Sequence, residues 1–172
     1  PFPDDNRSKT FYITKDLKIY GGFPNTGTPT MGDRDWEMHQ TILSGDFNGD
    51  DVPISNKEDA DFPAQNNGEN AYNVVVTTDL STACLVDGFV IEGGNAILYG
   101  GGWLNVGSYG GESSPTIQNC LFQNNLADDK GGALYNIGWN GVSSPILINC
   151  IFQNNRANYN GGALYNDGSD GV

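Results

Sequence analysis

The sequence predicts an all-β chain: a right-handed parallel β-helix of about 30 residues per coil with an irregular N-terminal capping region. Three observations carry this reading. Residues 113–142 and 143–172 align without a gap at a period of 30, with 19 identities. Each copy holds short β-prone runs and no segment with helical apolar spacing. Gly and Asn, the residues that tolerate φ > 0 at sharp bends, recur at fixed places in each copy.

The copies read SSPTIQNCLFQNNLADDKGGALYNIGWNGV and SSPILINCIFQNNRANYNGGALYNDGSDGV. A fainter copy occupies 83–112, where GFVIEGGNAILYGGGWLN (88–105) aligns with 119–136 at an offset of 31. The extra residue falls in the turn Gly110-Gly111-Glu112. In each copy two runs, such as 115–118 and 120–123, are separated by one Asn, and a third, 133–137, follows a Gly pair. Three short strands per period describe one triangular coil. A β-propeller blade needs four strands in about 40 residues and does not fit. Stacked coils lie about 4.8 Å apart, so aligned residues become ladders. The expected ladders are Gly88/Asn119/Asn149 at an αL bend, interior Ile91/Phe122/Phe152 and Phe89/Cys120/Cys150, small Ala96/Ala127/Ala157, and amide Asn105/Asn136/Asn166.

Upstream, residues 1–82 form an N-terminal region of one or two coils, with strand-like runs at 10–14, 17–20, 41–43 and 72–77. The polar stretches 24–40 and 46–70 are too long for ordinary turns and read as insertions over the open end of the solenoid. The coils proper occupy 83–172, as 83–112, 113–142 and 143–172, and are expected to continue in a longer protein.

Composition narrows the function. The net charge of −13 comes from 21 acidic and 8 basic residues and repels both nucleic acid and anionic lipid. The acids are concentrated upstream, 14 against 6 bases in 1–82, so the repeats present mostly amides and hydroxyls. No apolar run is long enough for a transmembrane helix, no signal peptide is visible, and this segment is not expected to insert into membranes. Cys84, Cys120 and Cys150 are too few and too irregular for a disulfide framework, and Cys120 and Cys150 are expected as buried free thiols.

The motif pair FxxN and GGA[ILV] occurs twice: Phe122–Asn125 with Gly131-Gly132-Ala133-Leu134, and Phe152–Asn155 with Gly161-Gly162-Ala163-Leu164. It resembles the repeats of chlamydial polymorphic membrane proteins and of many secreted bacterial β-helix proteins. The first copy departs from it, with Ile91, Gly94 and Gly100-Gly101-Gly102-Trp103. KIYGGF (18–23), RDW (34–36) and TILSGDFNGDD (41–51) look like the N-terminal part of large bacterial right-handed β-helix proteins. The resemblance implies a passenger or adhesin-type role outside the cell within a much longer chain, and the open ends of a solenoid predict an oligomer or larger assembly.

Two kinds of site are expected, and a third is weighed against them. Asp46, Asn48, Asp50 and Asp51 place four oxygen-bearing side chains within six residues, a candidate Ca2+ loop. It is not an EF-hand, since Gly49 stands at position 4 and Lys57 at position 12; the plainer reading is a solvated acidic turn. Trp103, Tyr109, Trp139 and Tyr159 fall in or near loops, where rings stack on sugar faces or on another copy of the chain. The alternative function is a polysaccharide lyase or hydrolase, for which Lys130, Arg156, the Asp128-Asp129 pair and His39 are the available groups. Neighbouring loop aspartates seldom converge on one substrate, and His39 beside Trp36 reads as structural, so no catalytic residue is assigned and attachment or assembly is the expected role.

Overall fold

A computed structural model describes residues 6–54 and 63–169. Lys57 and the outermost ends of the expected regions lie outside the described residues. The described chain is a parallel β-solenoid whose helical content is three short 3-10 turns, and no helix in it is long and apolar enough to cross a membrane.

Each coil contributes one strand to each of three faces. The first face stacks Lys18–Tyr20, Leu85–Asp87, Thr116–Gln118 and Ile146–Ile148. The second stacks Thr41–Ser44, Phe89–Glu92, Leu121–Gln123 and Ile151–Gln153, and the third Phe11–Ile13, Val75–Thr78, Trp103–Val106, Leu134–Ile137 and Leu164–Asp167. All these pairings are parallel, and over the last two steps of each face the register advances by 31 and then 30 residues, as from Leu85 to Thr116 to Ile146. Short ladders, Asn95–Ala96 with Leu126–Ala127 and Arg156–Ala157, and Glu112–Ser113 with Val142–Ser143, fill the corners.

The expected ladders form. Gly88, Asn119 and Asn149 have φ of 84°, 52° and 50°, so the first bend is left-handed in three successive coils. Asn149 Nδ2 donates to Asn119 Oδ1 at 2.8 Å, and Asn119 Nδ2 donates to Asp87 Oδ1 at 2.9 Å. A second left-handed bend, at Gly93, Asn124 and Asn154, follows the second face. Phe122 and Phe152 stack inside with centroids 4.8 Å apart and 7° between planes. Asn136 Nδ2 bonds Asn166 Oδ1 at 2.7 Å, while Asn105 turns to Thr77, Ser113 and Ser143. Cys84 and Cys120 are buried, Cys150 is half-buried, and all three are free.

The two motifs acquire a physical role. Phe122 fills the interior, and the FxxN amide, Asn125, is a fully buried bracket. Its Oδ1 accepts from Gly94 N–H in the coil before, and its Nδ2 donates to Ile91 C=O and to Asn155 Oδ1 in the coil after. In the GGAL motif Gly131 and Gly161 adopt φ of 64°. A Cβ on Gly132 would strike the carbonyls of Arg156 and Gly162, so the second glycine is required by close backbone approach.

The first coil is about twice as long as the rest, since Phe11 pairs with Val75 across both polar stretches. The described parts of these insertions dock on the flanks. Arg34 holds the first one: its guanidinium grips Asp87 with both donors at 3.0 and 2.6 Å, donates to Gly21 C=O, and lies over the rings of Tyr20 and Trp36. A side chain at Gly88 would collide with Arg34, which explains why this coil has Gly where later coils have Asn. Arg7 ties the second insertion down by donating to the carbonyls of Asn70 and Asn95, both at 2.8 Å. At the first-coil end Phe11, Leu17, Ile19, Leu43 and Phe89 line an apolar cavity.

Candidate functional site

The expected aromatic set divides. Trp103 is not in a loop: it is 0% exposed and begins a third-face strand. Register explains the correction, because Trp103 pairs with Val75 and Leu134 and so takes the interior leucine position of the GGAL motif. Its indole N–H is satisfied by Thr77 Oγ1 at 2.8 Å. Tyr109 and Trp139 do lie outside, 79% and 38% exposed, in edge-to-face contact with centroids 4.9 Å apart. Tyr109 N–H donates to Trp139 C=O at 2.9 Å, so the pair is held in register across two coils. Tyr109 also has φ of 58°, a conformation that costs a bulky L residue about 1–2 kcal/mol. Tyr159 is 78% exposed on a different turn, above Asp129, to whose carbonyl its N–H donates.

A second aromatic column was not anticipated. Tyr99, Tyr135 and Tyr165 stack on the outside of successive coils, with centroids 4.5 and 5.6 Å apart and planes 15° and 8° from parallel. Tyr135 is buried between its neighbours and donates its hydroxyl to Asp167 Oδ2 at 2.8 Å. Burial, then the Asp167 hydrogen bond and charge, push its phenol above the ordinary range. The signal was the Tyr shared by both GGALYN segments at a spacing of 30.

The acidic loop brings together part of its expected set. Asp46, Asp50 and Glu69 each offer a carboxylate oxygen within 4.8 Å of the other two. Asp46 Oδ1 accepts the N–H groups of Asn48 and Gly49 at 3.1 and 2.6 Å, and Oδ2 accepts that of Asp51 at 3.1 Å. Asn48 is exposed. Asp51 turns inward and accepts a hydrogen bond from Asn70 Nδ2 at 2.7 Å. Burial lifts the Asp51 carboxyl to about 6; the Asn70 hydrogen bond opposes this, and the charges of Asp46, Glu69 and Asp50 add to it. Sequence proximity found the 46–51 turn but not Glu69 and Asn70, which arrive from the far end of the insertion.

The groups considered for catalysis each have a place in the scaffold. The Lys130 ammonium lies over the Tyr165 ring, 5.1 Å from its centroid. Asp128 Oδ1 accepts from Asn158 Nδ2 at 3.3 Å. Arg156 sits in a corner ladder opposite Leu126. His39 N–H donates to Asp35 C=O at 2.8 Å, closing the turn of the RDW segment.

Segments 119–137 and 149–167 match the family described as the Chlamydia polymorphic membrane protein (Chlamydia_PMP) repeat. Two segments of the chain are therefore similar to this repeat. Each matched segment opens at the left-handed Asn of the first bend and closes at the end of a third-face strand, so it contains both the amide of the FxxN motif and the glycine pair. No curated protein and no solved structure matches the chain.

Proposed function

We propose that this chain is a segment of a bacterial surface or secreted protein that works outside the cell as a rigid shaft and attaches through its lateral aromatic face. The observation that carries the reading is the Tyr109–Trp139 pair. Two exposed rings on adjacent coils are held together by a main-chain hydrogen bond, one of them in a strained backbone conformation. Strain concentrated at an exposed aromatic is a mark of function rather than of packing. Planar rings of this kind stack on the apolar faces of sugars, and the proposed ligand is a surface glycan. The similarity of two segments to polymorphic-membrane-protein repeats supports a surface location, and the structural contacts of Lys130 with Tyr165, of Asp128 with Asn158 and of the His39 main chain with Asp35 support a non-enzymatic role, since transition-state stabilisation needs convergent groups.

The test is a glycan array probed with the parent chain and with Tyr109→Gly and Trp139→Ala, with sedimentation measured in parallel. Tyr109→Gly relieves the strain while removing the ring, so its stability should stay within about 1 kcal/mol of the parent. Both variants should lose glycan binding. Self-association through the same rings, with no glycan bound, would replace the glycan reading by an assembly one. Turnover of an acidic polysaccharide that depends on Lys130 or Arg156 would refute both.

A further inference from the structure

The acidic loop contains more oxygen than its hydrogen bonds can use. Asp46, Asp50 and Glu69 converge from opposite ends of the 46–70 insertion, and among the described residues no nitrogen or sulfur ligand joins the group. The backbone N–H groups bonded to Asp46 shape the turn, and among the described residues no cation pairs with the nearby carboxylates of Asp50 and Glu69.

Asn70 is an independent observation. It is 0% exposed, and its Nδ2 is committed to Asp51 Oδ2 at 2.7 Å. That bond holds the carboxamide beside Asp51, next in sequence to Asp50, while its Oδ1 accepts no hydrogen bond. The neighbouring Glu69 Oε1 and Asp51 Oδ1 are also shielded and without a donor. Buried acceptors nearly always have partners, so three orphans in one place call for an explanation. A proton serves one oxygen, whereas a divalent cation serves several together.

We propose that Asp46, Asp50, Glu69 and Asn70 Oδ1 bind one calcium ion, with Asp51 adding negative charge behind Asn70. An all-oxygen set of carboxylates and a carboxamide suits a hard cation. The ligands come from loop and turn residues rather than from a rigid octahedral frame, which favours calcium over magnesium. The ion staples the insertion to the solenoid where hydrogen bonds already join them: Gly45 N–H to Glu92 C=O, Ala71 N–H to Gly45 C=O, and the Asn95 Nδ2 amide to Asn67 C=O.

The experiment is calorimetric titration and thermal unfolding of the full chain near neutral pH in calcium chloride, magnesium chloride or EDTA. Parent, Glu69→Gln and Asp50→Asn are compared. Asp46 is left intact because its hydrogen bonds fold the turn. Each substitution keeps side-chain size and removes one like charge, so in EDTA both variants should melt at or above the parent temperature. Calcium at about 100 times Kd should raise the parent Tm by roughly 5–10 °C, with one ion bound. Magnesium should give a smaller shift, and each variant should lose roughly 10-fold or more in calcium affinity. Equal melting of the parent in calcium and EDTA overturns the proposal. So does an undiminished calcium shift in both variants, and an equal shift in magnesium overturns the choice of ion.

Discussion

Replacing Asn125 by alanine tests the buried amide bracket. Asn125 is fully buried, and three of its side-chain bonds cross between coils: from Gly94 N–H at 3.0 Å, to Ile91 C=O at 2.9 Å and to Asn155 Oδ1 at 3.0 Å. Alanine strands the Gly94 N–H and the Ile91 C=O beneath the next coil. Each orphaned buried group costs about 1–3 kcal/mol. Asn155 keeps a further bond, from Asn125 N–H to its Oδ1 at 3.1 Å, so its loss is partial. The expected destabilisation is about 3–5 kcal/mol, read from urea unfolding followed by circular dichroism. Gln123→Ala is the control: its amide bonds Glu92 at 2.6 Å on the outer side of the same face, and its loss should cost no more than about 1 kcal/mol. If Asn125→Ala were no worse than Gln123→Ala, the amide would not bracket the coils.

Two further predictions follow from the bends and the thiols. Asn149, at φ of 50°, should tolerate Gly, whereas Asn149→Val should cost about 1–2 kcal/mol more; equal melting temperatures for the two would place the strain elsewhere. Burial pushes the Cys120 thiol up to about 12, with backbone hydrogen bonds from Phe89 and Gly88 opposing, so the folded chain holds this proton more tightly than the unfolded one. The stability gained there is intact below the unfolded thiol range and is lost as pH rises from about 9 towards 12. Cys120 should therefore resist a thiol reagent at pH 9 until urea unfolds the chain; prompt labelling of folded protein would contradict its burial.

The parts of this molecule that were legible in its sequence are those the coil repeats. A residue that must turn a corner or fill the interior does so every 30 or 31 positions, and the constraint appears as a column, as for Asn119 and Asn149 or Phe122 and Phe152. Trp103 was misjudged from its glycine-rich surroundings, although its alignment with Leu134 already gave the interior position. Contacts made once leave no such trace. Arg34 reaches Asp87 across 53 residues, and Glu69 and Asn70 return to the 46–51 turn from the far end of an insertion. Nothing periodic points to either.

The two repeat copies also act as an internal experiment on where side chains are free. They differ at 11 positions, and Ile117, aligned with Leu147, is the buried one among those in the 113–142 copy. The other ten are partly or fully exposed there, including Leu126, Asp128, Asp129, Lys130, Ile137 and Trp139. Gly131, Gly132, Phe122, Asn125 and Ala127, which touch the coils above or below, are unchanged in the second copy. Stacking thus constrains the residues that face along the axis and leaves the flanks open to change. Trp139 is replaced by Ser169 one coil later, so the aromatic pair with Tyr109 is a local decoration and not a consequence of the fold. A flank that changes while the scaffold is held constant is what presenting a binding surface on a solenoid requires, and it is why the proposed contact is sought at Tyr109 and Trp139 rather than along every coil.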